Sequence, residues 1–374
     1  VSRFLISCGG TGGHLSPGIS LAQGLAAKGH SSVLLISMKK VDARLIEKYP
    51  DLRFERMPGV GFTCKPAGLV RFILSQIAAV RFCRRMVASF KPDAIVGFGG
   101  FTCAPAALVG RLQGIPVALH ESNRVPGLAI RVLGPFVNRV YLPIGIRLAG
   151  VRTSAIRHAG QPVRAEMVRI PAAAAREALG LDATQKLVVV LGGSQGASAL
   201  NAWARENYQM LAAENIQLYC VSGLGKGAEE TLTVRSRTGA EVKAVFVPFS
   251  DRVGELLSAA DLVVSRAGAG TLAELIRCEA PAILVPYPHA ASDHQRANAR
   301  FFERQGGGIV VEESAIGGLR SEVAEVVFNE WLIQQFRGNL RRMDRQNALE
   351  LMLADLTETA SRQPSAAAAA GVHV

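Results

Sequence analysis

The stretch that most constrains this chain lies near its N-terminus, where the apolar run Phe4-Leu5-Ile6 passes into Ser7-Cys8-Gly9-Gly10-Thr11-Gly12-Gly13-His14-Leu15-Ser16-Pro17. From Pro17 to about Lys28 apolar residues recur at helical spacing. Strand, glycine turn and helix, in that order, open a doubly wound α/β domain. Glycines let the backbone turn tightly and approach a ligand closely, while the helix N-terminus offers N–H groups and partial positive charge. Pro17 suits an early helical position, where its missing donor costs nothing. Four glycines in the five residues from Gly9 to Gly13 exceed what a bare turn needs, although a turn without a ligand is the simpler alternative.

A dinucleotide fits this loop poorly. Leu15 stands where the third glycine of G-x-G-x-x-G belongs. The second strand, Val33 to Ser37, runs into Met38-Lys39-Lys40 with no acid placed to hold a ribose diol. The loop also carries His14, a group able to exchange protons near neutral pH. That points to chemistry over the loop rather than cofactor storage.

The same device recurs along the chain. Phe54 to Gly61 reads as a strand leading into a loop, and Ala94 to Phe98 as a buried parallel strand before Gly99-Gly100-Phe101 and a helix ending near Gly114. Val117-Ala118-Leu119 leads to His120-Glu121-Ser122-Asn123, at the carboxyl end of a strand where ligands of such sheets bind. A satisfied core histidine is the alternative for His120. Arg139 to Leu142 reads as the last strand of this half, and Gly160-Gln161-Pro162-Val163-Arg164 as the crossing to the second. There, Leu187 to Leu191 precedes Gly192-Gly193-Ser194-Gln195-Gly196-Ala197, and Asp261 to Ser265 precedes Arg266-Ala267-Gly268-Ala269-Gly270-Thr271-Leu272-Ala273-Glu274. Further strands are expected at Gln217 to Ser222, Val242 to Val247 and Ala282 to Pro286.

Small residues after Arg266 leave room for a diphosphate against a helix N-terminus. Glu274 lies where a carboxylate can accept both hydroxyls of a ribose; a first-turn acid favouring the helix dipole is its alternative role. Asp293 to Asn298 opens a helix with polar groups suited to sugar hydroxyls. The pattern from about Gln334 to Thr359 reads as one closing helix, and residues 361–374 as a disordered tail.

With 374 residues, 49% hydrophobic, the chain suffices for two domains with a core each. A formal charge of +12 suits nucleic acid, an anionic membrane surface or a phosphorylated substrate. Only 6% of residues are aromatic and no nucleic-acid-binding motif occurs, so nucleic acid is not expected as a partner. Residues 69 to 90 form a long helical pattern with Leu69, Phe72, Val80, Cys83, Met86, Val87 and Phe90 on an expected core face. The opposite face interleaves Arg71, Arg81, Arg84 and Arg85 with Val70, Ile73, Leu74 and Ile77. That mixture suits the boundary of an anionic membrane; a helix buried on two sides is the alternative. Six cysteines without C-x-x-C or metal spacing read as reduced cytosolic thiols. With no signal peptide and no apolar run of ~18 residues, a soluble or peripheral protein is expected.

Taken in order, Gly9 to His14 with Pro17-Gly18, His120-Glu121 with Asn123, Pro162-Val163-Arg164, Gly192 to Gly196, Arg266 to Glu274, and His294-Gln295 with Asn298-Ala299 resemble the MurG family of bacterial peptidoglycan glycosyltransferases. The resemblance runs from about Phe4 to Leu356. It implies a GT-B α/β fold of two Rossmann-like, doubly wound domains facing across a cleft. Residues 1–162 would serve the acceptor and membrane docking, and residues 163–334 UDP-GlcNAc, with a C-terminal helix of about 335–358 packing back on the first domain. The implied reaction moves N-acetylglucosamine from UDP-GlcNAc to the C4 hydroxyl of MurNAc in lipid I (undecaprenyl-pyrophosphoryl-MurNAc-pentapeptide). Its implied location is the cytoplasmic face of the inner membrane, as a peripheral protein.

The family also implies a donor site of Ser194, Ala269, Gly270, Thr271, Leu272, Ala273, Glu274 and Gln295, with Arg164 and the backbone near Ser250 contributing. Thr11, Gly12, Gly13 and Asn123 would complete it. His14 is the candidate general base, with Glu121 and His120 in reserve. The chain departs from the family at Gln161, usually Asn; at Arg124, commonly Gly; and at Ser250, usually aliphatic. No Asp-x-Asp occurs, so the expected catalysis needs no metal or other cofactor, with helix N-termini and Arg164 facing the departing diphosphate. Alternatives are another lipid acceptor such as diacylglycerol, epimerisation of UDP-GlcNAc, or a non-catalytic nucleotide-sugar-binding subunit.

Overall fold

In the computed structural model, which describes residues 1–10, 12–38, 46–61, 66–193, 197–344 and 347–361, two seven-stranded sheets each organise one compact unit. The first unit takes in Val1–Ser122, Pro126–Arg164 and the chain from Asn347; the second takes in Asn123–Val125 and residues from Ala165 to Gln346.

The first sheet contains β1 (Arg3–Ser7), β2 (Ser31–Ile36), β3 (Arg53–Arg56), β4 (Ala94–Gly97), β5 (Val117–His120), β6 (Arg139–Leu142) and β7 (Ile156–His158). Their order is β3-β2-β1-β4-β5-β6-β7, parallel throughout. The central strands are unbroken apolar runs because helices cover both faces. The connecting helices are α1 (Gly12–Ala27), α2 (Pro66–Phe90), α3 (Cys103–Leu112) and α4 (Leu128–Leu133). The chain reverses its direction of winding between β1 and β4, so the carboxyl ends of those strands form the crevice where ligands of such sheets bind.

The second sheet contains β8 (Lys186–Leu191), β9 (Ile216–Val221), β10 (Glu230–Arg235), β11 (Glu241–Val247), β12 (Leu262–Ser265), β13 (Ala282–Leu284) and β14 (Gly308–Val310), in the order β10-β11-β9-β8-β12-β13-β14. Its switch point falls between β8 and β12. Its helices are α5 (Ala172–Ala178), α6 (Ser198–Ala213), α7 (Val253–Ala259), α8 (Ala269–Arg277), α9 (His294–Arg304), α10 (Leu319–Val327) and α11 (Glu330–Met343). The last helix, α12 (Ala348–Ser361), packs on the first unit.

Several expectations are corrected. The helix after the first glycine turn begins at Gly12, and Pro17 lies inside it rather than at its start. Arg139–Leu142 is not the final strand of the first sheet, because the three-residue β7 pairs beyond it. Leu69 is exposed rather than core; burial on α2 is strongest at Ala79, Cys83, Met86 and Val87. The opposite face is exposed, with Ile73 at 50% and Leu74 at 62%, which removes the alternative of a helix buried on two sides. The 334–359 pattern is two helices, not one. Ile333, Phe336 and Leu340 fill the second unit's core, while Met352, Leu353 and Leu356 fill the first's, so one apolar period serves two cores. The edge strand β10, antiparallel to β11, was not expected. Residues 362–374 lie outside the described residues, as does Cys64, while the other five cysteines are buried.

α12 is latched by charge as well as packing. Asp355 accepts from the Tyr141 hydroxyl at 2.7 Å, from Arg139 Nε at 3.3 Å and from Arg157 Nε at 3.2 Å, while Lys28 pairs with Glu350 at 2.7 Å.

Candidate active site

In the first unit, β1 runs into Cys8-Gly9-Gly10; Thr11 lies outside the described residues, and α1 opens on Gly12 and Gly13. Gly9 is dictated by crowding. A Cβ there would stand 2.3 Å from the Ser37 amide nitrogen and 2.7 Å from the Ile36 carbonyl carbon, both backbone atoms. Gly10 has φ +116°, a region that side chains disfavour. The buried Thr102 hydroxyl donates to the Gly9 carbonyl at 3.2 Å and ties this loop to the one after β4.

His14, half-buried in the first turn of α1, packs its ring on that second loop. A Cβ on Gly99 would stand 3.3 Å from His14 Nε2, and one on Gly100 3.2 Å from Nδ1. Both glycines have positive φ, +95° and +75°. The Gly99-Gly100 pair, which the sequence presents as a repeat of the glycine turn, therefore makes room for an imidazole.

The reserve candidates have structural work. His120 is 1% exposed, and its Nε2 lies 3.0 Å from the Gly160 carbonyl. A carbonyl can only accept, so Nε2 carries the proton, leaving Nδ1 to face the Ser122 hydroxyl at 3.4 Å. Burial pushes its pKa down to about 4, against the upward pull of the Gly160 carbonyl and with a further downward push from His14. Neutral, buried and bonded at both nitrogens, His120 is the core histidine of the two readings. Glu121 is 6% exposed and accepts the Gly127 N–H at 2.6 Å, which fixes the entry to α4.

The Pro162-Val163-Arg164 turn is held to α1, where the Ser20 hydroxyl donates to the Val163 carbonyl at 2.6 Å. Arg164 Nη1 donates to the Tyr49 hydroxyl at 3.3 Å.

In the second unit, Ser194 lies outside the described residues. The turn after β12 is well defined. Gly268 is extended (φ −67°, ψ 140°) and no side chain among the described residues caps α8, so the leading N–H groups of Ala269, Gly270 and Thr271 are open to another acceptor. Leu272 is 7% exposed, which confines any ligand contact to its backbone. Glu274 stands in the second turn, half-buried, and the first turn holds no acid. The helix-dipole reading of Glu274 is thereby corrected, because that effect fades beyond the first turn. Ser250 accepts the Arg252 N–H at 3.1 Å. Gln295, in the first turn of α9, accepts the Tyr287 N–H at 3.0 Å through Oε1 and keeps its NH2 group for other acceptors.

Three residues here have roles that the sequence did not reveal. Asn298, 2% exposed, donates through Nδ2 to Asn123 Oδ1 at 3.0 Å and to the Ala267 carbonyl at 3.1 Å, and accepts the Arg124 N–H at 2.9 Å. It is not available to sugar hydroxyls, as first expected; it seats Asn123 beside the Ala267-Gly268 turn. The Arg124 guanidinium lies 4.1 Å over the Phe301 ring, which gives this departure from glycine a partner. Arg266 is 9% exposed, donates to the Val285 carbonyl at 3.1 Å and pairs with Glu313.

Each Rossmann-like unit carries a glycine turn and a helix N-terminus at its switch point, the arrangement that receives the phosphates of a nucleotide ligand. The first unit matches the glycosyltransferase family 28 N-terminal domain over residues 4–142, and the second the family 28 C-terminal domain over residues 187–346. The chain is 59% identical over 358 residues, 96% of its length and 95% of the relative's, to UDP-N-acetylglucosamine--N-acetylmuramyl-(pentapeptide) pyrophosphoryl-undecaprenol N-acetylglucosamine transferase of Opitutus terrae. It is 38% identical, over 83% of each chain, to the protein of the same description from Clavibacter michiganensis. The crystal structure of Acinetobacter baumannii MurG shares the fold, with a TM-score of 0.71 at 23% identity, over 96% of this chain and 100% of that one. The chain belongs to glycosyltransferase family 28.

Proposed function

We propose that the protein transfers N-acetylglucosamine from UDP-GlcNAc to the C4 hydroxyl of MurNAc in lipid I, giving lipid II for peptidoglycan. The observation that carries this reading is the 59% identity over 96% of the chain to a relative described by that transfer. The reaction is a single displacement: the acceptor hydroxyl attacks the anomeric carbon, UDP leaves, and the α linkage becomes β. It needs a base at the hydroxyl and positive partial charge at the departing diphosphate. His14 is the base, supported by its half-buried seat on Gly99-Gly100 and by the bonds that occupy His120 and Glu121. The uncapped N-terminus of α8 receives the diphosphate, and Arg164 adds charge. Ala269 to Ala273 offer backbone and small side chains, Glu274 the ribose contact, Gln295 its amide to the sugar, and Ser250 its backbone to the uracil. Thr11, Gly12, Gly13, Asn123 and Ser194 complete the donor contacts.

Donor recognition gives a direct test. Losing a charge-assisted hydrogen bond costs roughly 1.5–3 kcal/mol, so Glu274→Ala is expected to raise the UDP dissociation constant about ten- to a hundredfold. Isothermal titration with UDP measures it, and an unchanged constant would remove Glu274 from the site. Incubation with UDP-GlcNAc alone separates the epimerase alternative, since a transferase leaves the donor sugar's configuration unchanged.

The acceptor is a lipid, and no helix among the described residues is long and apolar enough to cross a membrane. The protein docks on the anionic cytoplasmic surface of the inner membrane through α2, whose exposed Val70, Ile73, Leu74 and Ile77 lie among exposed Arg71, Arg81, Arg84 and Arg85. Replacing Ile73, Leu74 and Ile77 by serine is expected to weaken binding to phosphatidylglycerol vesicles by about tenfold or more, from lost apolar burial. UDP affinity should hold. Flotation at low salt measures the first, and equal binding by variant and parent would contradict the docking face.

A further inference from the structure

Arg164 ends the Gln161-Pro162-Val163-Arg164 turn, and its charge is assigned above to the donor's diphosphate. An arginine stem has many rotamers, and a guanidinium that must meet a ligand in one place gains by being held there beforehand. The first unit holds this side chain at both ends. At the backbone end, the fully buried Ser20 hydroxyl of α1 donates to the Val163 carbonyl at 2.6 Å. At the head, Arg164 Nη1 donates to the Tyr49 hydroxyl at 3.3 Å.

Tyr49 is a fixed point. It stands in Glu47-Lys48-Tyr49-Pro50, away from every glycine turn of the sequence. Its N–H donates to the Ile46 carbonyl at 2.9 Å, and its own carbonyl accepts the Leu52 N–H at 3.2 Å. The residue is 8% exposed and its ring belongs to the first unit's core, against which Ile46 and Leu52 also pack. A core tyrosine needs a polar partner for its hydroxyl, and here the guanidinium is one. The chemistry of the anchor matters as well. A carboxylate in this place would cancel charge on the guanidinium, whereas a phenol is neutral and holds one N–H without doing so.

We propose that Tyr49 is a positioning residue for the transfer, acting through Arg164 by holding its guanidinium where the donor's diphosphate meets it. The proposal rests on the reading of Arg164 as a donor contact and adds the group that preorganises it.

A double-mutant cycle tests it, with UDP affinity measured by isothermal titration in Tyr49→Phe, Arg164→Gln and the double variant. Tyr49→Phe keeps the ring in the core and removes only the hydroxyl. It is expected to raise the UDP dissociation constant about three- to tenfold, the size of one hydrogen bond. In the Arg164→Gln background the same substitution should change the constant by less than about twofold, because the guanidinium it holds is gone. Steady-state kinetics should show KM for UDP-GlcNAc rising in Tyr49→Phe with KM for the acceptor unchanged, a selectivity that general loosening of the core would not give. A Tyr49→Phe effect of equal size in both backgrounds, or a rise in both KM values, makes the hydroxyl merely structural and overturns the proposal. So does a lowered unfolding midpoint with UDP affinity intact. If Arg164→Gln weakens UDP binding and Tyr49→Phe does not, the Arg164 reading stands and the positioning role fails. If Arg164→Gln leaves UDP binding unchanged, the Arg164 reading fails and takes the positioning role with it.

Discussion

His14→Ala is expected to lower kcat by about 10²–10⁴, the usual contribution of a general base, while leaving the dissociation constant for UDP near the parent's value. A sugar hydroxyl is far too weak an acid to ionise alone near neutral pH, so the displacement must supply an acceptor for its proton. Among the groups at the carboxyl ends of β1, β4 and β5, the alternatives are already committed. His120 is buried, neutral and bonded through both nitrogens, and Glu121 holds the Gly127 amide. His14 is half-buried and rests on two glycines whose missing side chains make its seat. Steady-state kinetics beside UDP titration separates the possibilities. A variant that keeps kcat and loses donor affinity would make His14 a binding residue and return the search for a base to Glu121.

Gly9→Ala should destabilise the first unit by about 3 kcal/mol, at the upper end for forcing an extra methyl into a packed site. That corresponds to roughly 6–12 °C in unfolding midpoint. The methyl would fall 2.3 Å from the Ser37 nitrogen and 2.9 Å from Ile36 Cα. These are backbone atoms at the end of β2, so no rotamer change relieves the overlap. Gly61→Ala is the control: among the described residues nothing lies within 4 Å of its Cβ position, and a change within about 0.5 kcal/mol is expected. Thermal unfolding followed by circular dichroism measures both. A Gly9→Ala variant that unfolds with the parent yet fails to turn over would show that this glycine serves the ligand rather than the sheet.

The two glycines illustrate what was legible in the sequence. Strand, glycine turn and helix identify a doubly wound unit from local pattern alone, because the apolar run and the turn are contiguous in the chain. Which glycine clears a backbone and which clears His14 depends on how β1, β2 and β4 come together, and that is a tertiary fact. Asn298 was missed for the same reason: polar residues opening a helix look available, and only the fold brings residues 123–125 against it. β10 was hidden because Glu230-Thr231-Leu232-Thr233-Val234-Arg235 is a short edge strand with largely exposed side chains, whose alternation rests on two half-buried aliphatics alone, Leu232 and Val234. The closing helix was misread because its apolar period continues across residues 344–347, although its two halves feed different cores. On α2 the mixed face was legible, since arginines among aliphatics have no place in a core; its extent was not, and Leu69 belongs to the exposed end.

The central claim is the transfer itself, and mass spectrometry of products tests it most directly. The purified chain is mixed with UDP-GlcNAc and a short-chain lipid I analogue, with parallel samples omitting each substrate. The account predicts a product heavier than the acceptor by one N-acetylhexosamine residue, with UDP released in equal amount, only when both substrates are present. UDP release or a changed donor sugar without the acceptor, or an unmodified acceptor after prolonged incubation with active donor, would contradict it.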